Sequence, residues 1–382
     1  MKGKSFFVNG YSLQERLKSA KAAFTTRRVD FGRGQSLRTD QVPVSGDLLL
    51  ARVVELGQQT RLHLTNGRRA NLFPGDEIIV AYGNRYAPDQ FEGIVPDNLA
   101  PCHLVACGGI AARCRSKHRK MKPPTVIEPV GLIADHNGRV LNLLQFAMEE
   151  SPHGERRSPL TLAVVGTSMN AGKTTIAASL VRGLSAAGLK VGAAKITGTG
   201  AAGDYFLYTD SGALSVYDFT DAGFSSTYLL ELEKIEKITT TIFSKFAAEG
   251  VDVVIAEIAD GLYQQETAHL LSSRILRDQV DGLLFAGADS MGTIAGAEWL
   301  RRAIEIPLLA VSGAFTMSPL AIEEVEQRLD LPILTSRQLA ASRIAQGLFH
   351  CFPYRRPERY ESSGLIIEHS LGVEGKTLAH TC

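Results

Sequence analysis

A chain of 382 residues exceeds what one hydrophobic core usually holds, since chains divide at about 250–300 residues, so a large domain with a smaller companion is expected. Apolar residues at 45% and charged residues at 21% exclude a disordered chain, a fibre or a disulfide scaffold. Lys plus Arg number 41 against 40 Asp plus Glu, so no whole-molecule field draws the protein to nucleic acid or anionic lipid.

Residues 1–40 carry mixed charge with little periodicity and read as an N-terminal arm, either peripheral or a short helix. No apolar core of signal-peptide length opens the chain, and no run of about 18 apolar residues occurs, so a cytoplasmic location without a membrane partner is expected. The five cysteines, Cys102, Cys107, Cys114, Cys351 and Cys382, form no CxxC pair, which favours reduced thiols over zinc ligands.

From residue 41 to 150 the pattern is β-rich. GDLLLARVVELG, TRLHLTNGRRANLF and GDEIIVAYGNRY are short aliphatic runs broken by Asn66-Gly67 and Pro74-Gly75-Asp76. A second hairpin signal is Asn137-Gly138. These strands predict a small barrel or sandwich. Within them, Arg113–Lys122 is strongly basic, which suits a solvated loop, a cap over an anionic substrate, or a nucleic-acid contact. No aromatics are interleaved there, so a stacking platform for single strands is not expected. The polar, Pro-containing stretch from Ser151 to Pro159 is the linker candidate.

From 156 to 345 strands alternate with helical stretches: TLAVVG, LKVGAAKI, VDVVIAEIA, VDGLLFAGA and PLLAVSGA each precede a helix-forming run. Such alternation predicts an α/β domain with a parallel sheet. Gly188 is placed to close the first helix and Pro319 to open a late one. Residues 346–382 are left as a C-terminal tail.

The chemical signal is GTSMNAGKTT, between a buried strand and a helix: Gly166, Thr167, Ser168, Met169, Asn170, Ala171, Gly172, Lys173, Thr174 and Thr175. That context makes it a phosphate-binding loop. Gly172 lets the backbone wrap close to phosphate, while successive N–H groups and the helix N-terminus face the negative charge. Lys173 is expected to reach the β and γ phosphates and the Thr174 hydroxyl to hold Mg²⁺. Asn170 is read either as a ligand contact or as a residue that shapes the loop.

Five residues separate Gly166 from Gly172 where four are usual. This lengthened loop resembles that of the dethiobiotin synthetase and cobyric acid synthase branch of P-loop NTPases. The resemblance continues through AAKITGTG, TDSGAL, VVIAEIADG and DSMGTIAGAEWL, and covers residues of about 160–340. It implies ATP and Mg²⁺ as cofactors, Lys195 beside the substrate and the γ phosphate, and Asp210 and Glu257 joining Thr174 around the metal. Asp204 competes with Asp210 for one metal position. Glu257 at the end of an apolar strand is costly to bury unpaired, so a metal or cation should neighbour it. Lys195 has the alternative of simply pairing with a carboxylate, and Asp260 is read either as an acceptor behind the metal-facing groups or as a turn former.

Departures from the pattern narrow the options. Ser168 stands where dethiobiotin synthetase commonly has aspartate and where MinD-like ATPases place a second lysine. The region after 340 is too short for a glutamine amidotransferase domain. No Asn-Lys-x-Asp string occurs, which favours ATP over GTP. The expected function is ATP- and Mg²⁺-dependent activation of a small acidic substrate by γ-phosphoryl transfer, with Lys173, Lys195 and Glu257 as catalytic residues. The alternatives are a hydroxyl kinase acting on a small molecule or polynucleotide, and a regulatory or cofactor-maturation NTPase. A homodimer is compatible with this reading, whereas nucleic acid is not an expected partner.

Overall fold

The computed structural model describes residues 11–152 and 158–352. Among them the chain forms two compact units. The first takes the chain up to Glu149 together with Gly198–Gly203 and Asp218–Leu230. The second takes Glu150–Thr197, Asp204–Tyr217 and the chain from Glu231 onward.

The first unit contains β1 (Lys21–Ala22), β2 (Ser36–Arg38), β3 (Leu48–Glu55), β4 (Arg61–His63), β5 (Arg69–Asn71), β6 (Glu77–Tyr82), β7 (Phe91–Ile94), β8 (Cys102–Ala106), β9 (Ile110–Lys117) and β10 (Thr125–Ala134). Strands β6, β3, β10, β8 and β9 pair in that order, and β9 pairs back to β6, so the sheet closes into a small barrel. Alternate residues fill it: Leu49, Ala51 and Val53 from β3, and Ile78, Val80 and Tyr82 from β6, all buried. The intervening Leu48, Leu50, Ile79 and Ala81 are buried as well, against Leu17 of α1 (Leu13–Ser19) and against Leu141 and Leu143. Covering both faces explains why β3 begins with three leucines rather than an alternating pattern.

Residues 13–38 are therefore not a peripheral arm, and the short-helix alternative is the one that forms. They supply α1, with Ser12 and Glu15 in a capping box, and the strands β1 and β2, which pair with β6 and β10. Both Asn-Gly turns form as read, with Gly67 at φ 83° and Gly138 at φ 75°. They join β4 to β5 and link the end of β10 to the Ala134–Val140 bridge.

The second unit is a six-stranded sheet in the order β13 (Ser215–Asp218), β12 (Val191–Lys195), β14 (Val253–Glu257), β11 (Leu160–Gly166), β15 (Gly282–Gly287) and β16 (Leu308–Gly313). Pairings from β12 through β16 are parallel. Every residue of β11, β14 and β15 is buried, as expected where helices cover both faces. Its helices are α2 (Lys173–Ala186), α3 (Ala202–Asp210), α4 (Leu232–Glu249), α5 (Gln265–Leu271), α6 (Arg274–Gln279), α7 (Ser290–Ala303), α8 (Pro319–Glu326), α9 (Ser336–Leu339) and α10 (Ile344–Cys351). Ile176, Leu180 and Leu184 of α2 pack on Leu162, Val164 and Ile255 of the sheet. Gly188, at φ 83°, ends α2 as read: its N–H bonds Ser185 and that of Leu189 bonds Leu184, which satisfies two terminal carbonyls. Pro319 opens α8 behind the cap Ser318.

Residue 346 is no domain edge, because α10 runs through it and buries Ile344, Ala345, Leu348 and Phe349 in the same core as α2. The remainder of the tail and most of the linker candidate lie outside the described residues. Cys102, Cys107 and Cys114 carry free thiols. No helix among the described residues is long and apolar enough to cross a membrane.

Candidate functional site

Strand β11 ends at Gly166 and α2 begins at Lys173, so residues 167–172 form the loop between a central strand and a helix N-terminus. Gly172 sits at φ 101°, and a Cβ there would meet the backbone of Gly313 at 3.3 Å. Asn170 adopts φ 66°, a conformation asparagine tolerates better than most side chains, which supports its loop-shaping reading. Neighbouring strand ends fix the loop: Thr167 N–H donates to the Ala286 carbonyl at 2.9 Å and Ala314 N–H to the Ala171 carbonyl at 3.0 Å. The first-turn N–H groups of α2 have no partner within the helix and head this loop.

Lys173 folds back over the loop and donates to the Ser168 carbonyl at 2.7 Å, with only 6% of the residue exposed. Burial pulls its ammonium below the ordinary lysine range, opposed by the charges of Glu257 and Asp260. Lys195 and Glu257 are direct register partners at the ends of β12 and β14, so their side chains share one face of the sheet. Lys195 ion-pairs with Asp204 in the first turn of α3 and lies 3.7 Å from Glu257 Oε1. Burial alone would lower its pKa, but Asp204 and Glu257 outweigh it and hold the ammonium charged well above the usual range. Asp260, just beyond β14, is shifted up by burial against the pull of Lys173 and Lys195.

Lys173, Lys195, Glu257, Asp204 and Asp260 thus form one charged cluster at the head of the loop. The hydroxyl of Tyr208 donates to Glu257 Oε2. The oxygen donors of Thr174, Glu257 and Asp204 are the hard ligands that Mg²⁺ takes in phosphate sites, where one or two carboxylates act beside phosphate oxygens. Among the described residues, no group of three or more His, Cys, Asp or Glu is set to hold a metal on its own.

Asp210 does not join this cluster. It is the exposed last residue of α3, six positions beyond Asp204, and at about 3.6 residues per turn it falls on another face of the helix. Asp204, the competing choice, is the one brought to Lys195. Tyr208 is absent from the sequence reading altogether; its spacing of four from Asp204 on a helix following Lys195 was the available signal. Asp289 caps α7 by accepting from Gly292 N–H at 2.7 Å. In the first unit, the basic run begins on β9, whose Arg115 lies 3.5 Å from Glu92.

No protein-family model matches the chain, and no curated protein matches it. Some solved structures are similar to part of the chain. The signal recognition particle receptor FtsY from Elizabethkingia anophelis in complex with GDP has a TM-score of 0.36 and 19% identity, covering 52% of this chain and 64% of that one. FtsY from Thermotoga maritima gives 0.32 and 17%, covering 52% and 69%. The 54 kDa signal recognition particle protein from Aeropyrum pernix K1 in complex with GDP gives 0.33 and 20%, covering 52% and 47%. This chain therefore spans less than two thirds of the first and under half of the last. At TM-scores this low the likenesses carry no argument about fold or activity.

Proposed function

We propose that the second unit binds a nucleoside triphosphate with Mg²⁺ and transfers or hydrolyses its γ-phosphoryl group. The observation that carries this reading is the meeting of Lys173 and Lys195 with Glu257 and Asp204 at the head of a strand–loop–helix turn. Two buried ammonium groups beside an array of backbone N–H donors suit a polyanion. Thr174 and Glu257, with Asp204 in place of Asp210, would hold Mg²⁺, which when bound neutralises phosphate charge. Lys173 would bind the β and γ phosphates after leaving the Ser168 carbonyl.

Calorimetry with ATP and with GTP, each with Mg²⁺ and with EDTA, tests the reading. ATP is the expected ligand because the chain has no Asn-Lys-x-Asp string. Equal or tighter GTP binding would remove the adenine preference, and no binding of either would remove the function.

Within that function, the resemblance to dethiobiotin synthetase supports a small acidic substrate as phosphoryl acceptor. A carboxylate or carbamate oxygen would attack the γ phosphorus in line, releasing ADP and giving an acyl phosphate that a second nucleophile opens. Lys195, kept charged by Asp204 and Glu257, would orient the acid. Oxygen-18 in the substrate carboxylate should then appear in the released phosphate. Label entering only from water would favour a regulatory NTPase, and phosphate retained on a product would favour a hydroxyl kinase.

A further inference from the structure

Glu257 is 2% exposed and Tyr208 1% exposed, and the contact between them supplies a function for a residue otherwise read as core. The ring of Tyr208 packs in the same apolar cluster as Ile176, Val191 and Ala193, a place that phenylalanine would fill equally well. Its hydroxyl therefore has a polar reason to be there. The two oxygens of Glu257 are anchored differently: Oε2 accepts the directional O–H bond from Tyr208, and Oε1 faces the Lys195 charge at 3.7 Å. The Lys195 contact is electrostatic and tolerates rotation of the carboxylate, whereas the tyrosine bond fixes it. Because Asp204 and Tyr208 are four residues apart on α3, one face of that helix holds both strand-end groups, Lys195 through Asp204 and Glu257 through Tyr208.

We propose that Tyr208 is a positioning residue for the metal–phosphate site, holding the Glu257 carboxylate correctly turned before Mg²⁺ arrives. The inference rests on the nucleotide-binding reading above. Outer partners of metal-facing groups are worth about 10- to 100-fold in metal affinity or activity. A residue that merely fills the core would shift stability and leave the metal dependence alone.

The test is Tyr208→Phe in the full-length chain, which keeps the ring and removes the hydroxyl. Three quantities are measured: Mn²⁺ binding in the presence of ATP by electron paramagnetic resonance, ATP affinity in EDTA by calorimetry, and the Mg²⁺ dependence of phosphate release. The expected result is metal affinity weakened about tenfold or more, with metal-free ATP affinity unchanged. In a Glu257→Gln background the same substitution should add little, because the carboxylate it positions is gone. Unchanged metal affinity would overturn the assignment, and so would an equal fall in ATP affinity with and without metal. Should Tyr208→Phe fail to fold, 3-fluorotyrosine labelling of the unaltered protein decides: a buried tyrosine resonance must move when Mg²⁺ joins bound ATP, and no movement overturns the assignment. If the unaltered protein binds no ATP, the nucleotide reading itself fails first, an outcome distinct from normal binding with a silent Tyr208→Phe.

Discussion

Each unit buries a cation between two carboxylates, and the two clusters are built for different ends. In the first unit, Arg27 donates to Asp218 at 3.0 Å and to Asp221 at 2.5 Å, stacks on Phe24 at 4.2 Å, and has 11% of its side chain exposed. The carboxylates are occupied from their own turn as well: Thr220 N–H donates to Asp218 and Asp218 N–H to Asp221. In the second unit, Lys195 takes the central place, and its partners Asp204 and Glu257 come from a helix and a strand end that head the loop. A planar fork whose carboxylate partners also accept neighbouring backbone N–H groups closes a cluster and ties down a chain segment. A lysine is a point charge with three donors that can be redirected, and Lys173 beside it spends a donor on a carbonyl that phosphate could replace. Burial of charge alone does not mark a site; what marks it is charge whose hydrogen bonds are exchangeable.

The largest effects should separate the clusters by what they break. Lys173→Ala is expected to lower nucleotide turnover by about 10²–10³ without loss of the cooperative unfolding transition, the scale of one transition-state donor. Glu257→Gln should keep nucleotide binding and lose about 10² in turnover, measured by steady-state phosphate release. A near-normal rate in either variant would place the chemistry elsewhere. Arg27→Met should do the reverse: leaving Asp218 and Asp221 buried without the cation between them costs about 3–5 kcal/mol by urea denaturation, with ATP affinity per folded molecule unchanged. Loss of ATP affinity without loss of stability would contradict the division of roles.

The same comparison has a pH signature. Burial pushes the Asp221 carboxyl from 3.8 up to about 6, Asp218 adds to the rise, and Arg27 and Arg28 oppose it. A folded pKa above the unfolded one means stability that is fully present below about pH 4 and is lost as pH rises through about 6. The difference in unfolding free energy between the unaltered protein and Asp221→Asn should therefore change across pH 4–6 and level off above pH 7. A flat difference over that window would refute the assignment.

What the sequence disclosed and what it concealed divide along the reach of the interactions. Gly166–Thr175, the closing Gly188, the opening Pro319 and the turns at Asn66-Gly67 and Asn137-Gly138 were legible because each is specified within a few residues, by a positive φ, a missing N–H or an apolar run of fixed length. The roles of Lys21–Ala22 and Ser36–Arg38 were not, since their partners are Ile78–Ile79 in β6 and Leu132–Ala134 in β10. Nothing local in GTGAAG or DFTDAGFSSTYLL says that these stretches join the first unit rather than the second. Lys195 and Glu257 were found as strand-end residues, and their pairing is a matter of sheet register that the order of motifs does not contain. The partner of Glu257 was missed because a tyrosine in an apolar helix face looks like core, and its ring is core.

The smallest predicted effect is the sharpest on the site itself. Resemblance favoured Asp210 as a metal ligand, and the fold brings Asp204 to Lys195 instead. Asp210 is exposed at the end of α3, about 9 Å along the helix axis from Asp204 at 1.5 Å per residue. Asp210→Asn should therefore change turnover and Mg²⁺ dependence by less than about twofold, as surface substitutions away from a site usually do. Asp204→Asn removes the carboxylate that ion-pairs with Lys195 in the first turn of the same helix, so it should lower turnover and raise the Mg²⁺ requirement together. Measuring both variants at saturating ATP over a Mg²⁺ series sets one carboxylate against the other on a single helix. A large loss in Asp210→Asn with a silent Asp204→Asn would mean that α3 turns or unwinds when nucleotide binds, and that the Lys195–Asp204 pair belongs to the ligand-free protein alone.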